Sequence, residues 1–147
     1  MRPLCLLAGL ILSMVCLADS PKAADAPSVT VRGKLIAREG QTPAIETADH
    51  KLITLVGDGS TEHVLHDKRL AGAEIEAKGH FAAPDRFQPD RFQVDPFHTH
   101  PLAAFKSGKR LMITYWCDVC SIRTYEPGPC WCCQRETSLD LREPEQE

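Results

Sequence analysis

The chain has 147 residues, of which 43% are hydrophobic and 25% are charged, as is ordinary for one modest soluble domain. Eleven prolines, nine glycines and an aromatic content of 6% argue against a helical bundle and favour a turn-rich β domain. The net charge of −3, without any cluster of lysine and arginine, gives no support for a nucleic-acid partner.

The N-terminal residues 1–18 predict a secretory signal peptide. Arg2 supplies a basic start, an apolar run follows, and Ala18 offers a small residue for cleavage. The run is too short for a membrane span, and no later segment is apolar enough for one. We therefore expect an exported protein, periplasmic or extracellular, with residues 19–27 as a linker. Retention of the segment as an anchor is the alternative.

Alternating apolar and polar residues predict four strands, at residues 28–36, 44–47, 51–56 and 73–81. Residues 57–60 are predicted to close the hairpin of the second and third strands. Residues 65–72 have room for only a helical turn or a short loop. The fourth strand has one apolar face, formed by Ile75, Ala77, Gly79 and Phe81.

The pentapeptide Pro-Asp-Arg-Phe-Gln occurs twice in direct succession, at residues 84–88 and 89–93. A perfect tandem copy is most simply an insertion in a loop that tolerates extra length, so we assign it no function. The second copy runs into Val94, where a further strand is predicted.

Four features of this region recur in one known architecture. They are the Val-x-Val-x-Gly-x-Leu strand from Val29, the Leu-Ile-Thr-Leu strand from Leu52, the leucine-containing segment ending at Gly72, and the Ile-x-Ala-x-Gly-x-Phe strand from Ile75. Together they resemble a small OB-like β-barrel, similar to domains of uncharacterised exported bacterial proteins. The resemblance implies a mainly β fold with an OB-like domain over residues 28–108. A β-sandwich fragment would carry a similar pattern.

Five of the seven cysteines are confined to residues 117–133, and the other two, Cys5 and Cys16, lie in the predicted signal peptide. An odd number in one short window is not the usual pattern of a disulfide framework, so metal binding is the first interpretation. Two Cys-x-x-Cys pairs are present, Cys117 with Cys120 and Cys130 with Cys133.

These two pairs resemble the facing knuckles of a zinc ribbon or a rubredoxin-type site. The resemblance implies a four-cysteine metal site in an extension over residues 109–142, with short strands at 121–125 and 137–141 and a tail at 143–147. Two residues between cysteines let a tight turn aim both sulfurs at one point, and two such turns form a thiolate cage suited to zinc or to iron.

Three departures from the knuckle pattern bear on which metal is bound. No glycine follows Cys120 or Cys133, where rubredoxin-like knuckles usually carry one, and the loop between the two pairs is short. Cys132 is a fifth sulfur, which could replace Cys133 as a ligand or add to the site. In an oxidising compartment the same cysteines could instead form disulfides. One possible pairing is Cys117–Cys133 with Cys120–Cys130, which leaves Cys132 free.

Histidines and aromatic residues near the cysteines complete the candidate site. His98 and His100 are predicted on one face of a strand, spaced as metal ligands could be, although solvent-facing histidines are the simpler interpretation. Four aromatic residues are predicted to shield the metal: Tyr115, Trp116, Tyr125 and Trp131.

The sequence thus predicts an exported, non-enzymatic binding module with a structural zinc site, whose partner is an unknown protein or small ligand. No nucleophile elbow, phosphate loop, His-Glu-x-x-His motif or framed carboxylate pair points to an enzyme. Two alternatives stay open. One is a periplasmic electron-transfer or metal-handling protein that binds iron or copper, and the other is a disulfide-stabilised binding protein without metal.

Overall fold

The computed structural model describes residues 27–82 and 90–144. The predicted signal peptide, almost all of the linker, the first pentapeptide copy and the end of the tail lie outside these ranges. The elements are β1 Val29–Ile36, β2 Ala44–Glu46, β3 Leu52–Val56, α1 Gly59–Leu65, β4 Glu74–Phe81, β5 Arg91–Val94, a 3₁₀ helix Phe97–Thr99, β6 Leu102–Lys106, β7 Lys109–Cys117, β8 Ile122–Thr124 and β9 Ser138–Arg142. No helix within the described ranges is long and apolar enough to cross a membrane.

The first five strands close into a barrel. Their order is β1-β2-β3-β5-β4, and β4 also pairs with β1, which completes the ring. Strands β3 and β5 run parallel, while the other neighbouring pairs are antiparallel. The prediction of a mainly β fold built on a small OB-like barrel is confirmed.

Two glycines allow the barrel strands to approach closely. A Cβ atom on Gly33 would lie 2.2 Å from the carbonyl oxygen of Glu46, and one on Gly79 would lie 2.1 Å from that of Gln93. Both distances are far below van der Waals contact, so neither position accepts a side chain without a shift of the neighbouring backbone. The barrel interior is filled by aliphatic residues and Phe92.

The helix between β3 and β4 begins earlier than the sequence analysis predicted. The carboxylate of Asp58 accepts a hydrogen bond of 2.9 Å from the backbone N–H of Thr61, which caps the helix N-terminus. In the last turn of the helix, the side chains of Val64 and Leu65 are buried. The assignment of residues 57–60 to a turn was therefore wrong, because a seven-residue helix is too short to show a 3.6-residue hydrophobic period.

Three residues of the second pentapeptide copy belong to the barrel. Arg91, Phe92 and Gln93 lie in β5, between β3 and β4. Phe92 is fully buried, and its ring meets that of Phe81 edge-on at a centroid distance of 5.1 Å. The expectation of a tolerant loop is wrong for this copy. Phe81 is 49% exposed, so the apolar face predicted for β4 ends before it.

The sheet continues beyond the barrel as an extension formed by β6 to β9. Strand β6 pairs with β4, and a two-residue loop then joins it to β7. The loop residues Ser107 and Gly108 have φ of 53° and 78°, as a tight hairpin turn requires. Strands β8 and β9 pair with β7 on opposite edges, at the positions where short return strands were predicted.

Candidate metal centre

Each Cys-x-x-Cys pair lies in a turn next to a strand of the extension, and that strand fixes the position of the turn. The first knuckle, residues 117–120, begins at the last residue of β7 and leads into β8. The second knuckle, residues 130–133, precedes β9 and is held by a bridge between Pro129 and Glu136. The extension thereby brings the two knuckles face to face.

The structure brings together the four cysteines that the sequence singled out. The sulfurs of Cys117, Cys120, Cys130 and Cys133 all lie within 4.8 Å of one another. The sulfurs of Cys117 and Cys133 are 3.5 Å apart. Tetrahedral coordination with metal–sulfur bonds of about 2.3 Å separates the sulfurs by roughly 3.8 Å. The group therefore has the size and the donor set of a metal-binding site.

No disulfide joins any of the five described cysteines. The 3.5 Å separation of Cys117 and Cys133 exceeds the bond length of about 2.05 Å in a disulfide. In this structure the pairing that was considered as an alternative is thus not formed.

Backbone amides point at the first sulfur of each knuckle. Cys130 accepts from the N–H groups of Cys133 and Cys132, which lowers the pKa of its thiol to about 7. Cys117 accepts from Cys120 and Val119 in the same way. The amide of Cys120 lowers the pKa of Cys117, but burial and the neighbouring sulfurs outweigh that effect and raise it. Such amides stabilise thiolates, and a bound cation stabilises them further.

The residue after each knuckle has a left-handed backbone. Ser121 has φ of 53° and Gln134 has φ of 60°. These are the positions at which the sequence lacks the glycine usual in such knuckles. The knuckle conformation therefore forms without these glycines. Ser121 and Gln134 instead adopt a left-handed backbone conformation that glycine adopts more easily.

Hydrogen bonds within the second knuckle fix the position of Cys130. Its N–H donates to the carbonyl of Arg135 at 2.7 Å, and its carbonyl accepts from Gln134 at 2.8 Å. Thr137 donates to the carbonyl of Gly128 from its hydroxyl at 2.8 Å and from its N–H at 3.2 Å. This loop is therefore ordered by polar contacts rather than by apolar packing.

The fifth cysteine lies beside the group of four. Cys132 is exposed. The neighbouring sulfurs of Cys132 and Cys133, together with burial, raise the pKa of the Cys120 thiol. Cys133 and not Cys132 completes the set of mutually close sulfurs.

The two candidate histidines do not join the cysteines. His98 lies in the 3₁₀ helix and His100 follows it with φ of 51°, so the prediction that they share a strand face is wrong. Proline at position 96 and the tight turn after it prevent continuous strand pairing. Both side chains are exposed, and the ring of His100 packs on Tyr125 at 4.7 Å.

The predicted aromatic shield is only partly present. Tyr115 is fully buried, and Trp116 is half-buried beneath the guanidinium of Arg123, 4.8 Å from its ring. Trp131 is 71% exposed and Tyr125 is 40% exposed. The prediction was therefore wrong for Trp131, which projects from the second knuckle into solvent.

A polar junction that the sequence analysis missed ties the barrel to the extension. Arg69 binds both carboxylate oxygens of the buried Asp67, and its Nη1 donates to the carbonyl of Thr137 at 2.7 Å. A second link runs from Ser60 to Glu126 at 2.7 Å. The contacts of Arg69 with Thr137 and of Ser60 with Glu126 join residues far apart in the chain, so no local sequence pattern predicts either pair.

Comparison of the chain with protein-family models, with curated proteins and with solved structures finds no match. Within the described ranges, the four cysteines form the one cluster of three or more histidine, cysteine or acidic side chains close enough to share a metal ion.

Proposed function

We propose that the four cysteines hold one zinc ion with a structural role, in an exported binding module that is not an enzyme. The observation that carries the proposal is the convergence of four sulfurs on one point within 4.8 Å. The chemistry of the set supports zinc, because thiolates are ligands that Zn²⁺ prefers in tetrahedral sites.

A structural role is supported by the number of ligands. Four protein ligands fill a tetrahedral coordination sphere and leave no open position for water or substrate, whereas catalytic zinc sites keep one open. Bound zinc would supply four coordination bonds between the two knuckles. Zinc would thereby replace apolar burial in this part of the chain.

The small apolar content of the knuckle region supports the same role. Beyond Tyr115, the buried side chains within the described ranges are Cys117, Cys130 and Thr137. Of the described residues 117–137, no leucine, isoleucine or valine is buried. A metal ion is the element that would make this arrangement stable.

Iron is the second candidate, and one observation favours it. Cys120 and Cys133 are only partly buried, so the centre lies near the surface, where an electron could enter or leave. Four thiolates with amide donors suit a single iron as well as zinc. The proposed function then becomes electron transfer, which intense visible absorption would reveal.

The barrel supplies the surface for a binding partner. A shallow groove crosses β1 and β2, and its lining mixes positive and negative side chains, among them Arg32, Lys34, Glu46 and Glu74. A mixed lining suits a protein or a small polar ligand better than a polyanion. This groove is the part of the proposal that assigns a binding role to the barrel.

Native mass spectrometry of non-reduced protein from an exporting host tests the proposal. The expected species begins after residue 18 and carries one zinc per chain. Cys117→Ser should lower zinc affinity by over 100-fold, because one ligand of four supplies roughly 3 kcal/mol of the binding free energy. Cys132→Ser is the matched control and should keep its zinc.

The other outcomes separate the alternatives. One iron per chain would establish the electron-transfer candidate in place of zinc. A metal-free chain lighter by about four hydrogens, as two disulfides require, would refute the metal site. A mass that includes residues 1–18 would refute cleavage of the signal peptide.

A further inference from the structure

Arg69 of the barrel contacts the chain next to the point where it leaves the sheet for the second knuckle. The pairing of β7 with β9 ends at Trp116 and Ser138. Thr137 is the next residue towards the knuckle, and its carbonyl accepts a hydrogen bond of 2.7 Å from Nη1 of Arg69. Arg69 therefore holds the chain one residue beyond the last strand pair.

The contact at Thr137 also supports the other end of the second knuckle. Thr137 is buried and donates to the carbonyl of Gly128, from its hydroxyl at 2.8 Å and from its N–H at 3.2 Å. Gly128 comes shortly before Cys130, and Thr137 comes shortly after Cys133. Arg69 thus braces both ends of the loop that carries these two cysteines.

The barrel fixes the direction in which Arg69 points. Its Nε donates to both carboxylate oxygens of Asp67, at 2.9 and 3.0 Å, and its Nη2 lies 2.8 Å from one of them. Asp67 is buried, and Leu70, in the same turn, is buried in the core. A planar guanidinium bound on one side in this way has a fixed orientation, which aims Nη1 at Thr137. The folded barrel therefore presents this donor rigidly.

The same guanidinium lies beside the strand that leads to the first knuckle. Its central carbon is 5.1 Å from the centre of the buried Tyr115 ring. A cation above an aromatic face is attracted to it. Tyr115 lies on β7, close before Cys117. The Arg69 side chain therefore contacts both the strand that enters the first knuckle and the chain that leaves the second.

We propose that Arg69, oriented by Asp67, is a positioning residue that sets the second knuckle opposite the first and thereby raises the zinc affinity of the metal centre. The inference rests on the proposed zinc site, and Arg69 is not a ligand. Its contact with Thr137 stabilises the ordered tip, in which the four sulfurs converge. A contact that favours the binding-competent form increases ligand affinity, because less of the binding free energy goes into ordering the chain.

Competition with a chelator of known zinc affinity tests the inference, under conditions in which the barrel of each variant is folded. Arg69→Met keeps an apolar stem beside Tyr115 and removes the donors. It should bind zinc about tenfold more weakly than the wild type, because the charged hydrogen bond to Thr137 is lost. Arg69→Lys keeps a charged donor and should recover the affinity to within about threefold of the wild type.

Lys68→Ala is the matched control in the same turn. Lys68 carries the same charge as its neighbour Arg69, but its ammonium pairs with Glu39 at 3.4 Å, and both side chains are over 80% exposed. Removal of this exposed pair should leave the zinc affinity within about twofold of the wild type. A loss as large as that of Arg69→Met would show that any charge removed from this turn weakens zinc binding, which would overturn the inference.

A second variant guards against a loss of folding, because Arg69→Met leaves the buried carboxylate of Asp67 without its cation. The double variant Asp67→Asn/Arg69→Met removes the pair together and should still bind zinc about tenfold more weakly. At saturation with cobalt in place of zinc, its visible spectrum should match that of the wild type, because all four cysteines are retained. A merely structural role would lower the free energy of unfolding and leave the zinc affinity unchanged.

Equal zinc affinities of the double variant and the wild type would overturn the inference and leave the proposed zinc site in place. Failure of the proposed function gives a different result, because the wild-type chain itself would then bind no zinc. The inference would fall with it, since Arg69 would have no zinc site to position.

Discussion

The barrel and the knuckle region use different means to hold their chain together. The barrel buries aliphatic side chains and Phe92 inside a closed sheet, whereas the tip of the extension, residues 117–137, buries Cys117, Cys130 and Thr137. Strand β7 of the extension connects the two regions, because Ile113 and Tyr115 pack in the hydrophobic core and Cys117 ends the strand at the first knuckle. Alternate residues of β7 are buried, namely Ile113, Tyr115 and Cys117. The row of buried side chains therefore begins with apolar residues of the core and ends at a cysteine of the proposed metal site.

Because the two regions are stabilised differently, different solution conditions should destabilise each of them. Apolar burial in the barrel responds to denaturants and to cavities, while the proposed metal centre responds to chelators, acid and oxidants. The contacts from Arg69 to Thr137 and from Ser60 to Glu126 join the two regions. Perturbation of each region separately should show how strongly these contacts couple them.

Metal removal should have the largest effect, and the effect should be local. Structural zinc binds with an apparent free energy of about 10–16 kcal/mol, and the tip has few apolar contacts to replace it. A chelator should therefore abolish hydrogen-exchange protection of the amides of Cys130, Gln134 and Thr137. The amides of β4 should keep their protection, because the barrel retains its own core.

Two results would contradict the view that the tip depends on metal while the barrel does not. Unchanged protection in the tip would show that residues 117–137 fold without metal. Simultaneous loss of protection in β4 would show that the two regions unfold as one unit. The Cys132→Ser variant is the control, because it alters the same knuckle without removing one of the four clustered cysteines.

The features that could be predicted from the sequence are those with a short period. Alternation along β1 and β4 predicted both strands, and the two-residue spacing in each Cys-x-x-Cys pair predicted two turns with converging sulfurs. Each pattern is complete within a few residues. This locality explains why the strands and the cysteine group were predicted while their surroundings were not.

The features that were missed depend on distant residues or on very short elements. The contact between Arg69 and Thr137 joins residues 68 positions apart, and neither residue stands out in its own segment. Helix α1 has two apolar residues in its last turn, too few to set a period. Phe92 is buried because the barrel closes around it. The ring of Trp131 is exposed because the second knuckle directs it into solvent.

A cavity in the barrel should have the second-largest effect. Phe92→Ala removes a fully buried ring and should lower the free energy of unfolding by about 3–5 kcal/mol. Phe81→Ala is the matched control at the other side of the same ring pair, and it should cost only about 1 kcal/mol because Phe81 is 49% exposed. Urea denaturation followed by circular dichroism measures both.

The zinc affinity of the Phe92→Ala variant shows whether the barrel core influences the metal centre. Under conditions in which Phe92→Ala is folded, its zinc affinity should equal that of the wild type, because Phe92 lies in β5, which pairs with β3 and β4 and not with the strand that carries Cys117. A parallel loss of zinc affinity would show that the barrel core sets the geometry of the cysteines. Equal costs for the two phenylalanine variants would contradict the assignment of Phe92 to the core.

The junction between the regions should contribute less, and its contribution should depend on pH. Burial alone would raise the pKa of the Asp67 carboxyl, but hydrogen bonds from the side chain and backbone of Arg69 outweigh burial and lower it. Asp67→Asn should therefore cost about 1–2 kcal/mol at pH 7, a range that allows for screening of the partly exposed Arg69.

The sign of the pH effect follows from the lowered pKa. Ionised Asp67 stabilises the fold fully above the unfolded-state pKa of about 3.9, and this stabilisation is lost as pH falls through the lower folded-state value. The difference between Asp67→Asn and the wild type should thus be constant from pH 7 to 5 and should shrink below pH 4. A difference that grows towards low pH would contradict the charged role of Asp67.

The smallest effect should be a gain of stability at the knuckles. Ser121 and Gln134 have φ of 53° and 60°, where a Cβ atom is unfavourable and glycine is not. Ser121→Gly should therefore stabilise the metal-bound tip by about 0.5–1 kcal/mol, which corresponds to a roughly two- to fivefold rise in zinc affinity. Competition with a chelator of known affinity measures this change.

The control for this gain is Ser121→Ala, which removes the hydroxyl and keeps the Cβ atom. If backbone strain is the cause, the alanine variant should bind zinc no more tightly than the wild type, and Gln134→Gly should reproduce the gain at the second knuckle. Equal affinities for the glycine and alanine variants would show that the serine hydroxyl sets the affinity. The left-handed residues would then cost the zinc-bound tip nothing, and the missing glycines would have no energetic meaning for this site.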